Sequence, residues 1–365
     1  MDTTDSKITF DENGICDHCR NFDKNIAPYW RPSENRFTEL EDIAKKIRKA
    51  GKNREYDCIL GLSGGADSSY LAYIAKEIMH LRPLIYVVDT GWNLNVAVEN
   101  IEKIVKGLNL DMYTDVINWK EMRDLQLAFF KSGISSQDFP QDHAIFSSLY
   151  NYAVKHGIKY VLTGSNSATE FIRPPVEWLY MNDLRMAKDI HKRFGTVPLK
   201  SFPTCGILKY RIWYRYFKGM KRIYPLDYVV YDKIKAEKFL NEQYGWTKYK
   251  NKHFENVFTR FFEGYYLPTK FGFDTRKNVL SNEILAGTKT REEALEILRH
   301  PPYDVSQALK DKTYVAKKLG ITTAEFDSII TGPNKTPDDY KNSFLMIKVG
   351  VYLCKLLGIE NRNIR

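Results

Sequence analysis

"LGLSGGADSS", residues 60–69, is the stretch on which the reading of this chain turns. An apolar run, "YDCILGL" (56–62), ends in Ser63, Gly64 and Gly65. The amphipathic stretch "DSSYLAYIAKEIMH" (67–80) follows almost at once. A buried strand that passes through bare backbone into a helix exposes several N–H groups at the positive end of the helix dipole, which suits an anion. Side chains at 64 and 65 would block a phosphate, whereas Ser63, Ser68 and Ser69 can add hydrogen bonds and Asp67 can hold Mg²⁺. No Gly-Lys-Ser/Thr follows, so this is not a Walker A loop. Nor is it the G-x-G-x-x-G turn of dinucleotide binding. The plain alternative is a tight strand–helix turn with a serine or aspartate cap.

Outward from this turn, apolar runs alternate with amphipathic stretches. Strands are predicted at 83–90, 111–118 and 158–165, and helices at 95–110, 121–133 and 144–157. Such alternation argues for an α/β fold, an open parallel sheet with helices on both faces. Ligands then sit beyond the carboxyl ends of the strands. After about residue 230 the alternation stops, and "DKIKAEKFLNEQYG", "TREEALEILRH" and "SFLMIKVGVYLCKLLG" all have helical spacing. Three parts are expected: a short segment over 1–50 ending in a basic helix, an α/β domain over 51–230, and a helical region over 231–365.

With 365 residues, 43% hydrophobic and 14% aromatic, the chain has material for a large core, and disorder is not expected. No window approaches about 18 uninterrupted apolar residues, so no membrane span and no membrane partner are expected. The acidic start, "MDTTDSKITFDENG", is no secretory signal, and five cysteines make no secreted disulfide framework. The expectation is a cytoplasmic protein. Its net charge of +10 favours polyanionic partners. In "LKYRIWYRYFKGMKRIYP" (208–225), basic and aromatic residues interleave. The spacing predicts a helix that packs Trp and Tyr inward with its cations in water, although such a stretch also suits RNA.

The string S-G-G-x-D-S-S at 63–69 closely resembles the PP-loop of the ATP pyrophosphatases. The resemblance implies an adenine nucleotide alpha-hydrolase-like fold and cleavage of ATP between its α and β phosphates. Ser63, Gly64, Gly65, Asp67, Ser68 and Ser69 would hold pyrophosphate or its Mg²⁺, and Asp89 and Thr90 would lie near the nucleoside. In "LTGSNSATE" (162–170), Thr163 and Gly164 would face ATP, and Glu170 would be a Mg²⁺ ligand as in asparagine synthetase-like members.

Three longer stretches, 1–19, 140–166 and 253–296, look like the N-acetyl sugar amidotransferase family over nearly the whole chain. That resemblance implies an enzyme that adenylates the acetamido oxygen of a sugar and replaces it with ammonia-derived nitrogen. The setting is bacterial surface polysaccharide (LPS O-antigen) or flagellin-glycan synthesis. Ammonia would come from separate glutaminase and cyclase-like subunits, and nucleic acid is not an expected partner. The rival readings are a tRNA thiolase or lysidine synthetase, and a non-catalytic nucleotide- or RNA-binding regulator.

Other candidates stand apart from the loop. Lys270 and Arg276, in "KFGFDTRKN" (270–278), are expected to neutralise phosphate or an anionic sugar. Asp142 and His143 follow a proline loop. Cys16 and Cys19 form "CDHC", half of a tetrahedral zinc site, with His18 and Cys205 as the candidates for a further ligand. Cys58 and Cys354 lie in apolar runs and are expected in the core, as is "FTRFFEGYYLP" (258–268).

Overall fold

The computed structural model describes residues 1–356 apart from 29, 32, 173, 176, 180–182 and 250–254. At 168, 169, 351, 354 and 355 it describes the backbone alone. Five parallel strands form its centre: β1 (Cys58–Gly61), β2 (Pro83–Asp89), β3 (Met112–Val116), β4 (Tyr160–Leu162) and β5 (Lys221–Ile223). Their order is β3-β2-β1-β4-β5, so the chain builds outward from β1 to β3 and then crosses to the other side for β4 and β5. The crevice of such a sheet opens between β1 and β4, where the direction of winding reverses. Ile59 pairs with Val161 and Leu60 with Leu162, so the chain leaving β1 and the chain leaving β4 emerge side by side.

Helices α1 (Asp17–Asn25) and α2 (Phe37–Gly51) precede the sheet. Four more, α3 (Ala66–Tyr73), α4 (Asn95–Gly107), α5 (Trp119–Ser132) and α6 (Phe139–Lys155), alternate with its strands. Strands β1, β2 and β4 alternate their side chains between two cores, as the pleat requires, whereas β3 at the sheet edge is largely exposed. Cys58, Leu60, Ile85 and Val87 point to a core built with Leu40, Ala44 and Ile47 of α2, Leu71 of α3 and Ile101 and Ile104 of α4. Ile59, Leu84, Tyr86 and Val161 point the other way, to Leu149, Tyr150 and Ala153 of α6. Burial of each such side chain stabilises the fold by roughly 1.5–3 kcal/mol, and two buried faces explain why β1, β2 and β4 read as continuous apolar runs.

After β4 come α7 (Ser167–Glu170) and α8 (Leu184–Phe194), then a wide-turned helix at Lys209–Phe217 that leads into β5. The rest is helical: α9 (Lys233–Tyr244), α10 (Val257–Phe261), α11 (Leu267–Phe271), α12 (Arg276–Leu285), α13 (Arg291–Arg299), α14 (Val305–Leu319), α15 (Thr323–Thr331) and α16 (Phe344–Leu356). Leu240 of α9 and Trp246 just after it join the sheet's first core. Phe258, Phe261, Phe262 and Tyr266 are buried with Trp92, Phe130 and Phe326, so "FTRFFEGYYLP" is core as expected. Cys58 is likewise buried, while the Cys354 side chain lies outside the described residues.

Three differences from the sequence reading have physical causes. Strand β5 was not predicted, because "KRI" carries two cations and one apolar residue and shows no strand periodicity. Helix α6 starts five residues earlier than periodicity implies, because Pro140 is tolerated in the first turn of a helix. The third concerns 208–225: of the rings in the 209–217 helix only Tyr214 is buried, and Trp213, Tyr216 and Phe217 face outward beside the cations. Among the described residues no helix is long and apolar enough to cross a membrane.

Candidate functional site

The loop between β1 and α3 is held from three sides. Gly64 has φ +82°, and a Cβ there would lie 2.6 Å from the Ala97 carbonyl oxygen, so both conformation and space require glycine. The Gly64 carbonyl accepts from Trp246 Nε1 at 2.9 Å and from Tyr249 OH at 3.3 Å. Because the peptide is trans, the Gly65 N–H points to the opposite side, where Ser63 Oγ accepts it at 3.2 Å. Ser68 Oγ closes the loop, accepting from Ser63 N at 3.3 Å, lying 3.2 Å from Ser63 Oγ and donating to the Gly65 carbonyl at 3.2 Å. Ser69 Oγ is buried with no hydrogen-bond partner among the described residues, an orphaned donor in the first turn of α3.

The turn after β4 meets this loop directly. A Cβ on Gly164 would lie 3.1 Å from both the Asp67 carbonyl carbon and the Ser68 nitrogen. Thr163 Oγ1 accepts from Ser165 N at 3.3 Å, and Thr163 N donates to the Ile223 carbonyl. Glu170, exposed, ends the short α7, whose first N–H, that of Ser167, donates to Asp227 Oδ1 at 2.7 Å. Burial raises the Asp227 carboxyl above the usual carboxylate range. At the end of β2, Asp89 Oδ1 accepts from Gly91 N at 2.7 Å, and Thr90 Oγ1 donates to Gln141 Oε1 at 2.8 Å. The loop glycines and serines, Asp67, Thr163, Gly164, Asp89 and Thr90 are thus gathered at the carboxyl edge of the sheet.

Several groups at this edge carried no signal in the sequence. The Tyr231 hydroxyl donates to Asp67 Oδ1, and burial beside that carboxylate pushes its own ionisation far up. The Glu255 carboxylate comes within 3.1 Å of where a Gly65 Cβ would stand. Nothing in the local pattern around Tyr231, Trp246 or Glu255 could have marked them, because each reaches the loop from more than 150 residues away.

Behind Thr90 lies a buried acidic pair. Asp138 Oδ1 accepts from Gln141 Nε2 at 2.7 Å and from Thr259 Oγ1 at 3.3 Å. Burial pushes the Asp138 carboxyl up to about 6, and burial plus the neighbouring Asp138 charge drives Asp142 well above the usual carboxylate range. His143 is pushed down to about 4 by burial, and its Nε2 accepts from Cys205 N at 3.3 Å.

Two further candidates are engaged elsewhere. Lys270 Nζ donates to the carbonyls of Ile329, Ile330 and Gly332, so it caps the end of α15 instead of reaching for phosphate. Arg276 forms a two-pronged pair with Asp274 and donates to the Ile297 carbonyl.

The orphaned Ser69 hydroxyl and the hydroxyls of Ser63 and Ser68 are donors of the kind a phosphate group takes. Asp67 and Glu170 are oxygen donors of the kind Mg²⁺ takes. Zinc fits less well. Cys16 and Cys19 bring their sulfurs to 3.5 Å, but His18 Nε2 pairs with Asp5 Oδ2 at 2.8 Å and Cys205 lies against α6. Among the described residues no group of three or more His, Cys, Asp or Glu is arranged for a metal, and two thiols do not make a tetrahedral site.

Residues 255–353 match the C-terminal domain of WbpG-like LPS biosynthesis proteins. Two uncharacterized proteins of Methanocaldococcus jannaschii are also similar. One is 28% identical over 160 residues, 43% of this chain and 53% of that protein. The other is 27% identical over 158 residues, 41% of this chain and 36% of that protein. The match therefore spans about half or less of these relatives.

Among solved structures, an NH3-dependent NAD synthetase from Campylobacter jejuni is 22% identical over 36% of this chain and 58% of its own, with a TM-score of 0.28. An NMN synthetase from Francisella tularensis is 16% identical over 62% of this chain and 100% of its own, with a TM-score of 0.29. A U34-tRNA thiolase from Methanococcus maripaludis is 14% identical over 74% of this chain and 86% of its own, with a TM-score of 0.33.

Proposed function

We propose that this protein is an adenylating enzyme, and specifically an ATP-dependent amidotransferase that converts the acetamido group of an N-acetylated sugar to an acetamidino group. The observation that carries the reading is the glycine-serine loop at the switch point, closed by Gly164 from the neighbouring strand. The match of 255–353 to a domain of LPS biosynthesis proteins supports a sugar as substrate.

An amide carbon is a poor electrophile because its nitrogen donates into the carbonyl. In the proposed reaction the acetamido oxygen attacks the α-phosphorus of ATP, the bond from that phosphorus to the bridging oxygen breaks, and pyrophosphate leaves. Ammonia then adds to the activated carbon and AMP departs, so C=O becomes C=NH with loss of a proton. Ser63, Ser68, Ser69 and the Gly65 N–H supply donors to the departing pyrophosphate, where charge develops. Asp67 and Glu170 would hold Mg²⁺, which when bound neutralises phosphate charge. Asp89 and Thr90 border the nucleoside.

Ammonia is supplied by separate glutaminase and cyclase-like subunits in this reading. Cys58 is buried, and burial pushes the Cys205 thiol up to about 11, the reverse of what a glutaminase nucleophile needs. A cytoplasmic setting follows from the use of ATP.

The test is pyrophosphate release from ATP and Mg²⁺ with ammonium chloride against a panel of acetamido sugars, with Asp67→Ala as control. Release with one sugar, and a product one mass unit lighter, names the substrate. Silence across the panel even with a glutaminase partner, together with salt-sensitive tRNA binding, would instead favour a tRNA-modifying enzyme.

A further inference from the structure

We propose that the 209–217 helix and α16 form a peripheral membrane-binding face that seats the protein on an anionic lipid surface. The inference rests on the exposed face alone and is independent of the reaction proposed above.

The 209–217 helix is attached to the body through its first turns: Tyr214 OH donates to Asn151 Oδ1 at 2.6 Å, Lys209 Nζ donates to the same oxygen, and Tyr210 stacks on Tyr150. Around it, Leu208, Ile212 and Trp213 are exposed, and Tyr216 and Phe217 are 70% and 71% exposed. Trp213 and Phe217 touch each other, with ring centroids 5.3 Å apart, instead of a core. Helix α16 carries a second outward apolar set: Leu345, Met346, Val349, Tyr352, Leu353 and Leu356. The two meet at one groove, which Leu208 and Met346 line with Ile207, Arg185, Lys188 and Lys341. Contiguous apolar surface of this kind marks a contact face.

Charge decides the occupant. From 190 to 226 the chain holds nine lysines and arginines and no aspartate or glutamate, and from 340 to 356 it holds three lysines and no carboxylate. Lys209, Arg211, Arg215 and Lys218 form no ion pair with a described carboxylate. The carboxylate in the groove, that of Asp189, is paired with Arg193 at 2.6 Å. Lys218 Nζ lies 5.2 Å from the Trp213 ring centre, so cation and indole share one layer. A nucleic acid would use the rings and the cations but gains little from exposed leucine, isoleucine and valine. An anionic bilayer surface uses all three: phosphates take the cations, the headgroup level takes Trp and Tyr, and the acyl boundary takes the aliphatics.

The test is co-sedimentation of the full chain with vesicles of equal parts phosphatidylcholine and phosphatidylglycerol, and with phosphatidylcholine alone. Binding to the anionic vesicles is expected to be at least about tenfold tighter, and to fall as salt rises. Trp213→Ser with Phe217→Ser should abolish it, and Arg211→Ser with Arg215→Ser should weaken it about tenfold or more. All four side chains are exposed, so unchanged melting of the variants checks their folding. Equal binding to both vesicle types, or unchanged binding by the Trp213 and Phe217 variant, overturns the proposal. So does a wild-type dimer that these substitutions dissociate, or tighter binding to a polyuridine oligomer than to anionic vesicles; the first assigns the face to a second copy and the other to RNA.

Discussion

The indole Nε1 of Trp246 donates to the carbonyl of Gly64 at 2.9 Å, across 182 residues of sequence. Trp246 follows α9, in the part of the chain where strand alternation has ended, yet it fixes the central peptide of the loop between β1 and α3. With that carbonyl held on one side, the Gly65 N–H faces the other, toward Ser63 Oγ.

Trp246→Phe removes this donor and leaves Gly64 with Tyr249 alone. The expected cost is about 1–2 kcal/mol of stability, the value of a buried hydrogen bond with its acceptor left under-satisfied. Weaker ATP binding should accompany it. Chemical denaturation and titration with a fluorescent ATP analogue check both.

Gly64→Ala places a Cβ 2.6 Å from a backbone oxygen at a residue with φ +82°. Strain of about 1–3 kcal/mol is expected, and ATP-dependent pyrophosphate release should fall to background. At Gly164 the clash is milder, 3.1 Å, so Gly164→Ala should lose less stability while still disturbing the loop. A Gly64→Ala variant with normal melting and normal turnover would contradict the account of the loop.

The Asp138 and Asp142 pair makes stability pH-dependent with a definite sign. Asp138 is raised from an ordinary value near 4 to about 6 in the folded chain, so the native state holds a proton that the unfolded state releases. Stability from this group is present below about pH 4 and is lost as pH rises through about 6. Asp138→Asn keeps acceptors for Gln141 and Thr259 without the charge. It should raise stability at pH 8 by on the order of 2–3 kcal/mol and flatten the profile between pH 4 and 7, as melting at a series of pH values will show.

Lys270 tests the division between scaffold and site. Its ammonium serves three carbonyls at the end of α15, so Lys270→Met is expected to cost about 1–3 kcal/mol and leave pyrophosphate release per folded molecule unchanged. Loss of turnover with normal melting would return Lys270 to the catalytic group.

Four strands and the helices between them were legible because β1, β2 and β4 bury both faces, β3 is short and rich in strand-forming residues, and the helices bury one face, which writes distinct patterns into the sequence. The loop was legible because its pattern is local: a left-handed glycine, a second glycine beside it, and hydroxyls within six residues of one another. Strand β5 was not, since three residues with two cations carry no pattern. The basic-aromatic helix was misread because its spacing fits an inward-packed helix as well as an outward one, and nothing within 208–225 tells which face meets the body.

The sequence by itself determined the strand–helix alternation that predicts a parallel sheet, the strand-to-helix turn at 61–66 and its pattern of glycine and hydroxyl, all of which are written in patterns a few residues long. Only the tertiary structure decided that Trp246, Tyr231 and Glu255 converge on that turn, that Gly164 closes it from β4, and that Lys270 is spent on a helix end. Those outcomes depend on how distant segments pack, and a hydrogen bond between residues 64 and 246 leaves no mark on the residues beside either one.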